Sequence, residues 1–269
     1  MVVLIVIVLI SLLYLYLILP RLSKRKEARK LIGWFYAHRG LHDINKGIPE
    51  NASVAFREAV SSGYGIELDV QLTKDNILVI FHDNTLDRMC GVNGGIGDYT
   101  WKELQQFTLL HTKEKIPTLD EVLEIVSGKV PLIVEVKMPG NDMSICKFLD
   151  ERLRRYEGMY CVESFHPLVP AWYKRNHPEI IRGQLSSALN QESKTKSVLL
   201  FMVEHLLTNV LARPDFIAYN HLHKEELSRK ICRRLYRCLS VTWTVKSQEQ
   251  LENAKEDFEI FIFEGFMPE

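Results

Sequence analysis

Gly65-Ile66-Glu67-Leu68-Asp69-Val70 has the apolar alternation of a buried β-strand but carries two acidic side chains. Successive side chains of a strand point to opposite faces, so Glu67 and Asp69 share one face. Two carboxylates held side by side repel each other unless a cation lies between them. The segment therefore predicts half of a metal site at the end of a strand.

Titratable side chains follow other apolar segments in the same way. His38 and Arg39 come directly after one such segment, and His82 comes after another. Glu135 and Lys137 repeat the spacing of two residues within a third segment, so they also share a face. We expect all of these side chains to lie at the carboxyl ends of strands.

Predicted strands alternate with predicted helices from about residue 34 to the C-terminus. The strands are Trp34–Ala37, Gly65–Val70, Ile77–Phe81, Val130–Val136, Met159–Val162, Ile180–Gly183, Phe216–Ala218, Leu239–Thr244 and Ile260–Phe263. This alternation favours a (β/α)₈ barrel, in which the carboxyl ends of the strands meet at one mouth where active sites form. The glycine-rich residues 84–118 interrupt the alternation and are predicted to be a small insertion, so the barrel domain is residues 33–269.

The residue types at the predicted mouth indicate phosphoester cleavage. Glu67, Asp69 and Glu135 offer the oxygen ligands that a hard divalent cation prefers. Inward-facing arginine and lysine side chains suit a phosphate group. Two histidines supply a general acid and a general base near neutral pH.

Three other features each have two interpretations. Glu50 and Asn51 follow a proline and are typical of a helix start, with Asn51 as the N-cap residue, unless they belong to the site. Trp243 is either a core residue or an aromatic side chain at the rim of the mouth. Asp83 is interpreted as a turn residue rather than a ligand.

The N-terminal residues predict a membrane anchor. Residues 1–19 are almost entirely Val, Ile and Leu, and no charge precedes Pro20. Residues 1–20 are therefore expected to form one transmembrane helix, and residues 21–32 a basic juxtamembrane linker that keeps the catalytic domain in the cytoplasm. The five cysteines have no framework spacing, which agrees with a reducing compartment.

Charge argues against nucleic acid as a partner. The whole chain has a formal net charge of zero, but the linker carries six basic side chains and one acidic side chain, so the linker has a net charge of +5. The expected catalytic domain is therefore acidic on balance, which is not the electrostatic signature of a nucleic-acid-binding protein.

The chain resembles the glycerophosphodiester phosphodiesterase family from about residue 34 to its C-terminus. The matching motifs are Ala37-His38-Arg39-Gly40, Pro49-Glu50-Asn51, Glu67-Leu68-Asp69-Val70, Phe81-His82-Asp83, Ile116-Pro117-Thr118-Leu119, Glu135-Val136-Lys137, Ser164-Phe165 and Trp243-Thr244-Val245. The order and spacing of the first six motifs are highly specific.

The resemblance implies a (β/α)₈ barrel that binds Mg²⁺ or Ca²⁺. By this similarity the metal ligands are Glu67, Asp69 and Glu135, with Glu50 as a further ligand or an orienting residue. His38 and His82 match the acid/base pair. The residues implied to contact the phosphate or wall the pocket are Arg39, Asn51, Lys137 and Trp243.

Two positions depart from the family pattern. Lys246 stands where members often have Asn, and Ile262-Phe263-Glu264-Gly265 replaces a Thr-Asp pair. Both departures are expected to lie away from the metal and the histidines, and to affect head-group preference.

The resemblance implies metal-dependent hydrolysis of glycerophosphodiesters to sn-glycerol 3-phosphate and an alcohol. One alternative is lysophospholipase D activity, which yields lysophosphatidate. A second alternative, of another class, is a non-catalytic lipid-binding protein that has kept the barrel. Loss of a ligand or a histidine would be the mark of that class, and the motifs contain no such loss.

Overall fold

Eight parallel strands close into a barrel, which confirms the predicted (β/α)₈ architecture. The computed structural model describes residues 1–23, 25–138, 140–193 and 196–269. The strands are β1 (Phe35–His38), β2 (Gly65–Leu72), β3 (Leu78–Ile80), β4 (Leu132–Val136), β5 (Tyr160–Ser164), β6 (Arg182–Ser186), β7 (Phe216–Asn220), β8 (Leu239–Val245) and β9 (Ile260–Phe263). The sheet order is β1-β9-β8-β7-β6-β5-β4-β2, and the parallel pairing of β1 with β2 closes the barrel.

Helices surround the barrel, and the longer ones bury one face against the outer side of the strands. They are α1 (Val2–Ile18), α2 (Arg25–Ala28), α3 (Ser53–Ser61), α4 (Asp87–Cys90), α5 (Trp101–Leu104), α6 (Leu119–Val126), α7 (Ser144–Leu153), α8 (Leu168–Asn176), α9 (Leu189–Glu192), α10 (Val198–Glu204), α11 (Asn209–Ala212), α12 (Leu227–Arg234) and α13 (Gln248–Ala254). Apolar side chains of the longer helices, such as Phe56, Val122 and Leu149, are fully buried in the outer core.

A separate cluster of apolar side chains fills the barrel interior. It includes Tyr36, Phe216 and Val241, together with Ala28 and Leu31 from the segment before β1. The Tyr36 hydroxyl donates a hydrogen bond to the carbonyl oxygen of Leu31 at 3.0 Å. Part of the predicted basic linker therefore contributes to the core. Lys24, in the same predicted linker, lies outside the described residues.

Strand β3 is not part of the barrel, because it runs antiparallel to β2. β2 extends as far as Leu72, and the chain then turns and folds back along it, so that the amide of Phe81 donates to the carbonyl oxygen of Asp69 at 2.9 Å. His82 follows immediately. The hairpin of β2 and β3 therefore places His82 at the mouth beside Asp69, although β3 runs in the direction opposite to that of the barrel strands.

The expected transmembrane helix and single-pass membrane localisation are wrong. No helix in the described part of the chain has both the length and the apolarity needed to cross a bilayer. Helix α1 has 17 residues, which at about 1.5 Å per residue is shorter than the roughly 30 Å of a bilayer core.

The last turn of α1 is bound to the barrel domain. Ile18 is fully buried, and its carbonyl oxygen accepts a hydrogen bond from the Asn209 side chain at 2.9 Å. The Arg213 guanidinium donates to the carbonyl oxygens of Tyr16 and Leu19 at 2.7 and 2.8 Å. These side chains add hydrogen bonds to the carbonyls at the C-terminal end of the helix, where intrahelical donors run out.

We predict that Gly183→Ala destabilises the barrel. A Cβ atom at Gly183 would overlap the ring of Phe216, which is fully buried. Overpacking of this kind costs about 1–3 kcal/mol, so thermal unfolding should show a melting temperature lowered by roughly 3–9 °C. Gly97→Ala is the matched control, since its Cβ would lie 3.9 Å from its nearest neighbour. Equal melting temperatures for the two variants would contradict this account of the interior.

Candidate active site

Three carboxylates converge at the mouth of the barrel. Glu67 and Asp69 extend from β2, and Glu135 extends from β4, where it is the register partner of Asp69. All three residues are buried, and one oxygen of each lies within 4.8 Å of the others. In the parallel sheet the backbone positions of these residues are fixed by the pairing of β2 with β4.

Two cationic side chains offset part of this negative charge. The Lys137 ammonium lies 3.1 Å from Asp69 Oδ1 and 2.6 Å from Glu135 Oε1. Arg39 Nε lies 3.4 Å from Asp69 Oδ2, and the Arg39 amide donates to Glu67 Oε2 at 3.1 Å. Two cations therefore face three carboxylates, which leaves one negative charge unmatched.

The pKa values of the three carboxyls reflect this imbalance. Burial, reinforced by the charge of Asp69, raises the pKa of Glu67 well above its ordinary value. Burial also raises the pKa of Glu135 to about 7, against the opposing effect of Lys137. Burial acts to raise the pKa of Asp69 too, but the charges of Lys137 and Arg39 lower it overall.

The cluster can hold a metal ion. Its ligands are all carboxylate oxygens, the donor type that Mg²⁺ and Ca²⁺ prefer. Asp69 Oδ1 is buried and accepts no well-aligned hydrogen bond among the described residues. A divalent cation would be coordinated by that oxygen and would neutralise the unmatched negative charge.

His38, at the end of β1, is oriented by Glu264. Its Nδ1 lies 2.7 Å from Glu264 Oε2, and its Nε2 lies 3.9 Å from Glu67 Oε2. Burial lowers the pKa of His38 to about 4, so the ring is neutral at pH 7. The expectation that the departures from the family pattern lie away from the histidines is wrong for Glu264. Lys246, the other departure, lies 3.5 Å from the same carboxylate.

His82 has an equivalent carboxylate partner. Its Nδ1 lies 2.7 Å from Asp83 Oδ1, and Arg88 holds both oxygens of Asp83 at 2.6 and 2.9 Å. Burial lowers the pKa of His82 below its ordinary value. In both histidines the carboxylate engages Nδ1, which leaves Nε2 as the nitrogen available to a substrate.

Asn51 contacts the carboxylate cluster. Its amide donates to Asp69 Oδ2 at 2.9 Å, and it is nearly fully buried. The N-cap residue of α3 is Ala52, so the alternative of Asn51 as a simple helix cap does not hold. Its other polar atom, Oδ1, has no hydrogen-bond partner in the described parts of the chain.

Glu50 stands outside the three-carboxylate cluster. Its Oε1 accepts hydrogen bonds from Arg39 at 2.6 Å and from Arg88 at 2.7 Å. Its Oε2 accepts a further hydrogen bond from Arg88 at 2.9 Å, so guanidinium groups contact both carboxylate oxygens. Of the two roles predicted for Glu50, its geometry favours the orientation of Arg39.

Two aromatic side chains line the mouth of the barrel. Trp243 and Phe165 contact each other edge to face, with ring centroids 5.5 Å apart. Both line a cavity of about 80 Å³ that also contains His38, His82 and Lys137. The indole nitrogen of Trp243 is buried and has no acceptor among the described residues.

Sequence reasoning missed three carboxyls at this site. Asp83 and Glu264 hold the histidines, and Glu163, which pairs in register with Glu135, lines the same cavity. Burial, reinforced by the charge of Glu135, raises the pKa of Glu163 well above its ordinary value. Glu163 and Glu264 could have been found from their position at the ends of β5 and β9.

The fold and the site together define a parallel (β/α)₈-barrel protein with a carboxylate cluster and two carboxylate-paired histidines at its mouth. The chain belongs to the glycerophosphoryl diester phosphodiesterase family, whose model matches residues 38–252.

Known proteins with the same fold or similar sequence agree with this assignment. A glycerophosphodiester phosphodiesterase of Caldanaerobacter subterraneus is 38% identical over 162 residues, which are 55% of this chain and 65% of the relative. One from Bacillus altitudinis is 35% identical over 54% of this chain and 63% of the relative. The matched region thus spans less than two thirds of either relative. The structure of an Oleispira antarctica phosphodiesterase in complex with the product sn-glycerol-3-phosphate matches with a TM-score of 0.70 and 23% identity, over 88% of this chain and 94% of that chain.

We predict that a divalent cation stabilises the protein more at about pH 8 than at about pH 5.5. The pKa of Glu135, at about 7, is above its ordinary value. The folded state therefore binds this proton more tightly than the unfolded state, and the resulting stability is lost as the pH rises through about 7. A cation replaces the proton, so it binds better at high pH.

Thermal unfolding with Mg²⁺, Ca²⁺ or EDTA at the two pH values measures this effect. Asp69→Asn should reduce the cation-induced shift at both pH values, whereas Asp120→Asn, which alters an exposed carboxylate, should not. A shift of equal size at both pH values, or one that survives in Asp69→Asn, would contradict the assignment of the cation to this cluster.

Proposed function

We propose that this protein is a metal-dependent phosphodiesterase that hydrolyses glycerophosphodiesters to sn-glycerol 3-phosphate and an alcohol. The observation that carries the proposal is that the three-carboxylate cluster adjoins a cavity lined by two cationic side chains and two histidines. The names of the relatives and the product bound to the Oleispira antarctica phosphodiesterase support the same substrate class.

Recognition of the phosphate group is assigned to Arg39 and Lys137. Both line the catalytic cavity, and both are mostly buried, so their charges are weakly screened. Arg39 offers a planar guanidinium that can bind two phosphoryl oxygens, while Lys137 acts as a point charge. Glu50 holds the guanidinium of Arg39 in place. A metal ion held by Glu67, Asp69 and Glu135 would add electrophilic stabilisation of the phosphoryl oxygens when bound.

Proton transfer is assigned to the two histidines. One removes a proton from the attacking hydroxyl, which belongs either to water or to the glycerol moiety of the substrate. The other donates a proton to the oxygen of the departing alcohol. The carboxylates of Glu264 and Asp83 accept hydrogen bonds from Nδ1–H of His38 and His82, so each ring presents Nε2 to the cavity and is stabilised when it becomes positively charged.

We predict that His38→Ala and His82→Ala each reduce kcat by roughly 10²–10⁴-fold. Each variant removes an acid/base group but leaves the three carboxylates in place, so the cation-induced thermal shift should persist. Release of sn-glycerol 3-phosphate from glycerophosphocholine and glycerophosphoethanolamine is the measurement. His111→Asn is a suitable control, because His111 is exposed with φ +59°, a conformation that asparagine tolerates. Turnover near the wild-type rate in either alanine variant would contradict the acid/base assignment.

We predict that Glu264→Ala lowers kcat by roughly 10- to 100-fold with a smaller change in KM, because His38 loses its orienting partner but the phosphate contacts remain. Glu264→Gln keeps an acceptor oxygen for Nδ1–H and should retain more activity than the alanine variant. Glu256→Ala, at an exposed glutamate nearby in sequence, serves as the control. A change confined to KM would indicate that Glu264 contributes to substrate binding instead.

A further inference from the structure

Glu163 is a buried carboxyl of the catalytic cavity to which the mechanism above assigns no role. It lies on β5 two residues after Cys161, so both side chains point into the barrel interior. Glu163 lines the cavity and is only 1% exposed. The three-carboxylate cluster that can share a metal ion does not include it.

The neighbours of Glu163 do not satisfy its carboxyl. In the described part of the chain, Glu163 Oε2 has no hydrogen-bond partner. Its register partner on β4 is Glu135, which is itself a carboxylate. Its register partner on β6 is Gly183, and the fully buried ring of Phe216 fills the space beside that glycine. A buried oxygen without a donor destabilises the folded state, so the fold alone does not account for a carboxyl here.

The cavity has a charged half and a mostly apolar half. The side chains assigned above to the metal, the phosphate and proton transfer come from β1, β2, β4 and the segments that follow β1, β3 and β4; they are His38, Arg39, Glu67, His82, Glu135 and Lys137. The other half is formed by Phe165, Leu185, Trp243, Thr244 and Ile262. Glu163 lies at the boundary, on the strand next to β4. When a phosphate occupies the charged half, the group attached to it therefore faces Glu163 and the apolar half.

The polar groups at the apolar half suit a hydroxyl group. Glu163 Oε2 and the indole nitrogen of Trp243 are both buried without a partner among the described residues. The first is an acceptor and the second is a donor, and a hydroxyl group can pair with either. The surrounding side chains of Phe165, Leu185 and Ile262 match the C–H groups of a ligand. A short polyol combines these two kinds of surface.

The size of the cavity favours the glycerol moiety of the substrate over its head group. The cavity has a volume of about 80 Å³, and a water-sized group needs about 10–15 Å³ of such space, so there is room for roughly six non-hydrogen atoms. A glycerol moiety has three carbons and two free hydroxyl oxygens. It is also common to all substrates of the proposed reaction, whereas head groups vary in size.

We propose that Glu163 determines specificity for glycerol by accepting a hydrogen bond from the terminal hydroxyl of the substrate's glycerol moiety. This inference rests on the proposed function, since the phosphate must occupy the charged half of the cavity. The hydroxyl on the middle carbon stays close to the phosphate and the histidines. The terminal hydroxyl is one carbon further from phosphorus and extends toward β5, where it supplies the donor that Glu163 lacks.

Choline release by residues 1–269 from two substrates provides the test. One substrate is sn-glycero-3-phosphocholine. The other is the phosphocholine ester of propane-1,2-diol with the same configuration, which lacks only the terminal hydroxyl and keeps the hydroxyl on the middle carbon. The protein should prefer the glycerol substrate by roughly 10- to 100-fold in kcat/KM, because the analogue leaves Glu163 unpaired. A preference below about twofold would overturn the proposal.

Two variants of similar shape test whether Glu163 is the source of this preference. Glu163→Gln keeps an acceptor oxygen and should retain most of the preference. Glu163→Met has nearly the same length without that acceptor, so the ratio of kcat/KM values for the two substrates should fall to about one to three. The ratio is measured within one preparation, so partial unfolding of a variant does not change it. A wild-type ratio in Glu163→Met would overturn the proposal.

Cys161→Ala is the matched control for these variants. Cys161 lies on the same strand and the same face as Glu163, but it is not part of the described cavity lining. Its replacement removes a buried side chain and should lower the melting temperature, while the ratio for the two substrates stays at the wild-type value. A ratio that falls as far as in Glu163→Met would show that general loosening of the interior abolishes the preference, and would overturn the assignment to Glu163.

Two further measurements distinguish the proposed role from others. The cation-induced thermal shift should persist in Glu163→Met, and its loss would overturn the proposal by making Glu163 a metal ligand. Glu163→Met should lower kcat/KM by similar factors for glycerophosphocholine and glycerophosphoethanolamine, which share the glycerol moiety. A loss confined to glycerophosphoethanolamine would place the ammonium group at Glu163 and overturn the proposal. Absence of wild-type turnover on both diesters would contradict the proposed function itself, and the inference with it.

Discussion

The repulsion among three buried carboxylates is the constraint on which the rest of the site depends. The barrel fixes Glu67, Asp69 and Glu135 close together, with one oxygen of each within 4.8 Å of the others. Lys137 and Arg39 balance two of the three charges and are thereby held at the mouth of the barrel. Burial and the remaining imbalance together raise the pKa values of Glu67 and Glu135, and the same imbalance favours binding of a cation. Phosphate recognition follows from the same arrangement. A bound cation would neutralise the carboxylates and weaken their ion pairs with Lys137 and Arg39, so the positive charges of these two side chains would become available to a phosphate group.

The features that are local in sequence could be predicted. The spacing of two residues in Glu67-Leu68-Asp69 and in Glu135-Val136-Lys137 places each pair on one face of a strand. Regular alternation of strands and helices then implies a parallel barrel, in which all of these pairs meet at the carboxyl ends. The eight-stranded parallel barrel confirms this reasoning. The approximate positions of the strands also agree with the prediction, with differences of a few residues at their ends.

The features that depend on distant contacts could not be predicted. The partner of His38 is Glu264, which lies 226 residues away along the chain, and periodicity carries no information about such a pairing. The apolar pattern of the segment that forms β3 does not distinguish a parallel barrel strand from the antiparallel strand that the structure shows. Hydropathy suggested that α1 spans a membrane, but it does not show where a helix ends. The helix ends at Ile18, where side chains of the barrel domain bind its last carbonyls.

The central claim is that Glu67, Asp69 and Glu135 bind one divalent cation. Anomalous diffraction from crystals of residues 1–269 grown with Mn²⁺, an ion that also prefers oxygen ligands, tests it most directly. We expect a single strong anomalous peak enclosed by these three carboxylates, with the Lys137 ammonium displaced from its position between Asp69 and Glu135. The absence of a peak there, or a peak at another group of acidic residues, would contradict the claim.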